Sequence, residues 1–129
     1  MKAVQIMQRP VIATTPEASV RDIAFKLVNN GISGMPVVER DGSVRGIVTE
    51  ADVLRVQLSG KQLEDVKAKD IMSVTPIAID VEASIDEAKK LLQEYHIIRV
   101  PVTQHGKLVG IVSRSDIIRA MLEPEFLTF

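Results

Sequence analysis

The chain has no cysteine and no tryptophan among its 129 residues, and one tyrosine and three phenylalanines are its whole aromatic set. Without cysteine there is no disulfide, no zinc–thiolate site and no thiol nucleophile. So few rings leave nothing on which successive bases of a nucleic acid could stack. Charge of either sign is not in excess: 16 Lys and Arg face 17 Asp and Glu, for a net −1. No overall basic field therefore recruits nucleic acid or anionic lipid. The two histidines, His96 and His105, are too few and too far apart for a histidine-based centre, so no metal is expected. No apolar stretch approaches the roughly 18 residues that a membrane span needs. The opening MKAVQIMQRPVIA is interrupted by Gln5, Gln8, Arg9 and Pro10 before a signal-peptide core can form. The expectation is a cytoplasmic, soluble protein with neither nucleic acid nor membrane as partner.

What the chain does have is a repeat. Shifted by 65 positions, Ile6-Met7 falls on Ile71-Met72, Glu17-Ala18-Ser19-Val20 on Glu82-Ala83-Ser84-Ile85, and Pro36-Val37 on Pro101-Val102. One residue is then lost in a turn, ERDGS against QHGK, and Gly46-Ile47-Val48 meets Gly110-Ile111-Val112 at a shift of 64. A surface turn is where a length change costs least. The chain reads as two copies of one unit, residues 1–61 and 62–129.

Within each copy the periodicity alternates. VIATT and PIAID are short β-rich runs. Ser19 and Ser84 are expected helix N-caps, with Asp22 and Glu87 as capping-box partners three residues on. Val20, Ile23, Ala24, Leu27 and Val28 then recur at helical spacing, as do Ile85, Ala88, Leu91, Leu92 and Tyr95. Gly31 suits a left-handed C-cap, and His96 holds the equivalent place. MPVVE and VPVTQ read as strands, Asp41-Gly42 and His105-Gly106 as hairpin turns, and VRGIV and LVGIV as return strands before a second helix. The unit is β-α-β-β-α, an α/β chain of the α+β type. A small sheet with helices on one face leaves too much apolar surface to stand alone. Two copies packed through their sheets about a pseudo-twofold axis would bury it, leaving two clefts of the kind ligands favour.

The chain resembles the cystathionine-β-synthase (CBS) domain, which occurs as tandem pairs called Bateman modules. The resemblance rests on the Ile-Met ahead of each copy (QIM, KDIMSVTP), on ISGMPV and IIRVPV, and on GIVTEAD and GIVSRSD, in the same order twice. It implies a regulatory module that binds adenosine-containing ligands such as AMP, ADP, ATP, S-adenosylmethionine or NAD derivatives. It further implies pairing into dimers and control of a partner protein in trans, with no cofactor required and no chemistry of its own.

Thr49-x-x-Asp52 and Ser113-x-x-Asp116 have two readings. As capping boxes, each hydroxyl accepts from a backbone N–H, and each acid sits near the positive end of a helix. As sites, the helix N-terminus offers charge to a phosphate and the carboxylate accepts a ribose diol. The resemblance assigns the ribose to Asp52 and Asp116 and the phosphate to the neighbourhood of Thr49 and Ser113. Arg99 is either a solvated edge charge or a bidentate phosphate ligand. Its counterpart is Gly34, so the two clefts are not equivalent, and the Arg99, Ser113, Asp116 cleft is expected to take the phosphorylated ligand. An adenine would lie against apolar groups, for which the candidates are Val11, Ile12, Met35, Pro36, Pro76, Ile77, Val100 and Pro101; most of these are ordinary core residues too. Phe126 and Phe129 either fold back or mark a partner surface.

An enzyme would need a base-paired nucleophile, an acid/base dyad or a metal cluster. None is in the sequence, and catalysis is not expected. The competing reading is a structural or dimerising module with empty clefts. A sensor of S-adenosylmethionine or NAD(H) would read the same adenosine half.

Overall fold

The computed structural model describes residues 1–74 and 78–122. In chain order these hold α1 (Ala3–Ile6), α2 (Val20–Asn30), β1 (Gly34–Val38), β2 (Val44–Thr49), α3 (Glu50–Leu58), a 3-10 turn (Leu63–Asp65), α4 (Ala68–Ile71), β3 (Ile79–Asp80), α5 (Ile85–Glu94), β4 (Arg99–Gln104), β5 (Lys107–Ser113) and α6 (Arg114–Leu122). Ser19 and Ser84 start α2 and α5 as expected. Their hydroxyls accept from the Asp22 and Glu87 amides at 3.1 and 3.2 Å. The return bonds, from the Ser19 and Ser84 N–H groups to the Asp22 and Glu87 carboxylates, are not formed among the described residues, so these caps work in one direction. Gly31 ends α2 with φ 60°, and His96 takes the matching left-handed place after α5 with φ 53°.

Two compact units result. Residues 12–74 form one; residues 1–11 together with 78–122 form the other. In the first, β1 and β2 make an antiparallel hairpin with Gly34 opposite Thr49. The run VIATT contributes a single parallel bridge, Thr14 to Val37, rather than a strand. Pro16, which has no amide to donate, closes it off. Ile23, Leu27, Met35, Val37 and Val48 form the core with Ala68 and Met72, and Val20, Val56 and Val66 pack beside them. In the second unit β3 pairs parallel to β4, and β4 antiparallel to β5, with Arg99 opposite Ser113. Its core joins Ala3 and Ile6 to Val100, Val102, Val112, Ala88, Leu92 and Ile117.

The short segment that opens each sequence copy is thus built into the unit holding the other copy's helices. Lys2 bridges Ser84 and pairs with Glu82; 65 residues later Lys67 bridges Ser19 and pairs with Glu17 at 2.7 Å. Gln8 bridges Ile111 as Ser73 bridges Ile47. The sequence copies and the compact units are therefore different divisions of one chain. Glycine makes the crossing possible. A Cβ on Gly110 would stand 2.4 Å from Met7 Sδ, and one on Gly46 would stand 2.5 Å from the Ser73 carbonyl oxygen.

Two outcomes are expected. Gly46→Ala and Gly110→Ala should each destabilise the fold by about 1–3 kcal/mol in denaturant titration. The loss should be larger at Gly46, where the obstacle is backbone rather than a methionine side chain. Equal stability of Gly46→Ala and wild type would contradict the close approach. The second outcome concerns acid. Hydrogen bonds from Lys67 and then Lys69 hold the Glu17 carboxyl down to about 2. A depressed carboxyl stabilises the folded chain above its unfolded pKa of about 4.3, and the contribution fades as pH falls through the folded value. At low ionic strength Glu17→Gln should lower the melting midpoint at neutral pH, and the gap to wild type should close between about 4.5 and 2. A gap that ignores pH would show that these exposed pairs contribute nothing.

Candidate functional site

The turn from β2 into α3 is fixed by one carboxylate. Thr49 has extended backbone, and its N–H donates to Asp52 Oδ2 at 2.8 Å. The Thr49 hydroxyl donates to the same oxygen at 3.1 Å and accepts from the Asp52 N–H at 3.4 Å. Where β5 meets α6 the geometry repeats. The Ser113 N–H and hydroxyl both reach Asp116 Oδ2 at 2.9 Å, and the Asp116 N–H returns to Ser113 Oγ at 3.3 Å. Both junctions are full capping boxes, and in each the aspartate is buried, 3% exposed at Asp52 and 4% at Asp116. A carboxylate so deeply placed needs partners on both oxygens.

The second oxygens find different partners. Asp52 Oδ1 accepts from Arg55 Nη2, one turn along α3. Asp116 Oδ1 accepts from the Gln8 amide at 2.9 Å, and Arg119, the residue matching Arg55, stands off at 3.7 Å. The first amides of the two helices are also engaged: Glu50 N–H donates to Ser33 O and Arg114 N–H to Ile98 O, each at 2.9 Å.

Arg99 opens β4, half-buried and directly opposite Ser113 in the hairpin register. Residues so paired project from one face with their Cβ atoms about 5 Å apart. Gly34 holds the same register position opposite Thr49. One unit thus brings together Arg99, Ser113, Asp116 and Gln8; the other brings Thr49, Asp52 and Arg55 together with a glycine in the arginine's place. Of the apolar candidates, Met35, Pro36, Val100 and Pro101 are wholly buried within their own units' cores. Val11 is half-buried and Ile12 is exposed. Pro76, Ile77, Phe126 and Phe129 lie outside the described residues.

Gln8, Arg55 and Arg119 were not among the expected residues. The arginines left a signal, Asp-x-x-Arg, written once in each copy as DVLR and DIIR. Gln8 left none, because its repeat counterpart is Ser73. Elsewhere among the described residues two hollows stand out. One of about 640 Å³ between α5 and α6 is lined by Leu92, Ile117, Ile118 and Met121 with Lys89, Lys90 and Arg114. The other, about 420 Å³, is lined by Thr14, Thr15, Asp22, Phe25 and Lys26. Among the described residues there is no group of three or more His, Asp or Glu placed to hold a metal, and no helix long and apolar enough to cross a membrane.

Removing either hydroxyl breaks a cap that holds a buried acid. Thr49→Ala and Ser113→Ala should each cost about 1 kcal/mol in urea unfolding. A variant as stable as wild type would mean that the aspartate's backbone bonds suffice alone.

The CBS domain family profile matches residues 3–59 and again 68–123. A curated relative, an uncharacterised protein of Methanopyrus kandleri, is 35% identical over 117 residues, covering 89% of this chain. The chain spans 60% of that relative's length. Among solved structures, CBSX2 of Arabidopsis thaliana in complex with AMP superposes with a TM-score of 0.84 at 26% identity, covering 96% of this chain and 98% of that one. The CBS domain pair of protein MJ0100, in complex with 5′-methylthioadenosine and S-adenosyl-L-methionine, gives 0.83 at 25% identity, covering 94% and 95%. With two matches that take in most of its length, the chain belongs to the CBS domain family as a tandem pair.

Proposed function

We propose that the chain is a regulatory CBS pair that binds an adenosine-containing ligand of the AMP, ADP or ATP type and signals to a partner protein in trans. The observation that carries this is the grouping of Arg99, Ser113 and Asp116 at one strand-to-helix turn. A guanidinium suits a phosphate, and a carboxylate suits a ribose diol. The AMP, methylthioadenosine and S-adenosylmethionine in the related complexes share adenosine and differ in the group carried on the 5′ carbon. Asp116 would read the shared half, and Arg99 the phosphate. The Asp52 turn, with Gly34 in the arginine's place, would take an uncharged nucleoside part, bind more weakly or stay empty. Val11 and Ile12, whose apolar surface is not consumed by a core, are the described residues best suited to an adenine face. No catalytic step is assigned, and the setting is cytoplasmic.

Self-association belongs to the same proposal. Phe25, Val28, Leu54 and Leu58 on α2 and α3, and Ile118, Met121 and Leu122 on α6, are exposed apolar side chains at the helices of both units. Faces of this kind are covered in a homodimer. Light scattering should return twice the 14.2 kDa chain mass, and a monomer would refute it.

One observation favours the structural reading: both aspartates already have partners on each oxygen. Calorimetry separates the two. Wild type should bind AMP about tenfold more tightly than adenosine, a difference of roughly 1.4 kcal/mol, and Arg99→Ala should erase that preference. If the preference survives, the arginine assignment is wrong. A ligand at 100 times its Kd adds about 2.7 kcal/mol of stability. Thermal silence toward AMP, ATP, S-adenosylmethionine and NADH alike would favour a structural module.

A further inference from the structure

The two aspartates are held alike on Oδ2 and differently on Oδ1, and the difference comes from Gln8. Its backbone is fixed, donating to Ile111 O at 2.8 Å and accepting from Ile111 N–H at 3.1 Å. The neighbouring Met7 lies against Gly110, so the register cannot slip. From that anchor the exposed side chain reaches 108 positions along the sequence to Asp116 Oδ1 at 2.9 Å. In the other unit Ser73 makes the same backbone bridge to Ile47, and Asp52 Oδ1 is held by Arg55. An arginine offers donors alone, whereas a primary amide carries two N–H donors and a carbonyl acceptor.

Oδ2 of Asp116 is committed to the cap, so a ligand hydroxyl would come to Oδ1, where the Gln8 amide donates at 2.9 Å and Arg119 stands at 3.7 Å. A ribose diol brings two O–H donors and needs a second acceptor. We propose that Gln8 is a specificity-determining residue of the Asp116 site, its amide reading the ribose 2′-hydroxyl beside the carboxylate. This rests on the adenosine reading above and adds the sugar to it. On binding, Gln8 shares Asp116 Oδ1 with the diol, its carbonyl accepting from one hydroxyl. At the Asp52 site the equivalent bridge position holds Ser73, which has no side-chain amide, and Asp52 Oδ1 accepts from Arg55.

Calorimetric titration with AMP and 2′-deoxy-AMP tests this on the full chain. Wild type should prefer AMP by about tenfold, in keeping with one hydrogen bond to a charged or buried polar group. Gln8→Met, close in length and without polar atoms, and Gln8→Ser, the residue of the equivalent position, should both lose most of that preference. Because Gln8 is exposed, neither change disturbs the core. Both variants should keep the Arg99-dependent preference for AMP over adenosine. Undiminished discrimination against 2′-deoxy-AMP in both variants overturns the role of Gln8 and leaves the adenosine reading standing. Failure of wild type to bind AMP or adenosine at all overturns that reading, and this one with it.

Discussion

A side chain at Gly110 would collide with Met7, and one at Gly46 with the Ser73 carbonyl. Much of the molecule depends on those two close passages. Each lets a short segment lie flat on a return strand and exchange a pair of backbone hydrogen bonds with it. The same segments contribute Ala3 and Ile6 to one core, and Ala68 and Met72 to the other. They also bring Lys2 to Glu82 and Lys67 to Glu17. These ion pairs are exposed and contribute little individually. The buried apolar contacts behind them hold the segments in place.

The aspartates show how much of a carboxylate a helix cap uses. A strand that runs directly into a helix leaves the helix's first amides unsatisfied at the end of the sheet. Thr49 with Asp52, and Ser113 with Asp116, meet that need using one carboxylate oxygen each. The other oxygen is left to whatever the fold brings near. In one unit that is an arginine on the same helix; in the other it is a glutamine from the far end of the chain. The two turns differ there and at Arg99 opposite Gly34.

The repeat made much of the fold legible. Caps at Ser19 and Ser84, the left-handed Gly31 and His96, and the hairpins around Asp41-Gly42 and His105-Gly106 depend on neighbours within a few residues, so local sequence specifies them. Thr49-x-x-Asp52 and Ser113-x-x-Asp116 were readable as caps for the same reason. The run VIATT misled because β-propensity does not reveal whether a partner edge is available. The Asp-x-x-Arg pairs were written in both copies, and helix spacing alone puts them on one face.

Local sequence thus determined the helix caps, the hairpin turns and the twofold repetition, because hydrogen bonds within a turn or cap involve residues three or four apart. Tertiary structure decided which segment lies on which body. It also decided that the Gln8 amide would reach the second oxygen of Asp116 more closely than Arg119 does. That contact joins residues 108 positions apart and leaves no periodicity to read. It exists because Gly110, with no side chain, leaves room for Met7 and lets Gln8 pair with Ile111, and that is a property of packing.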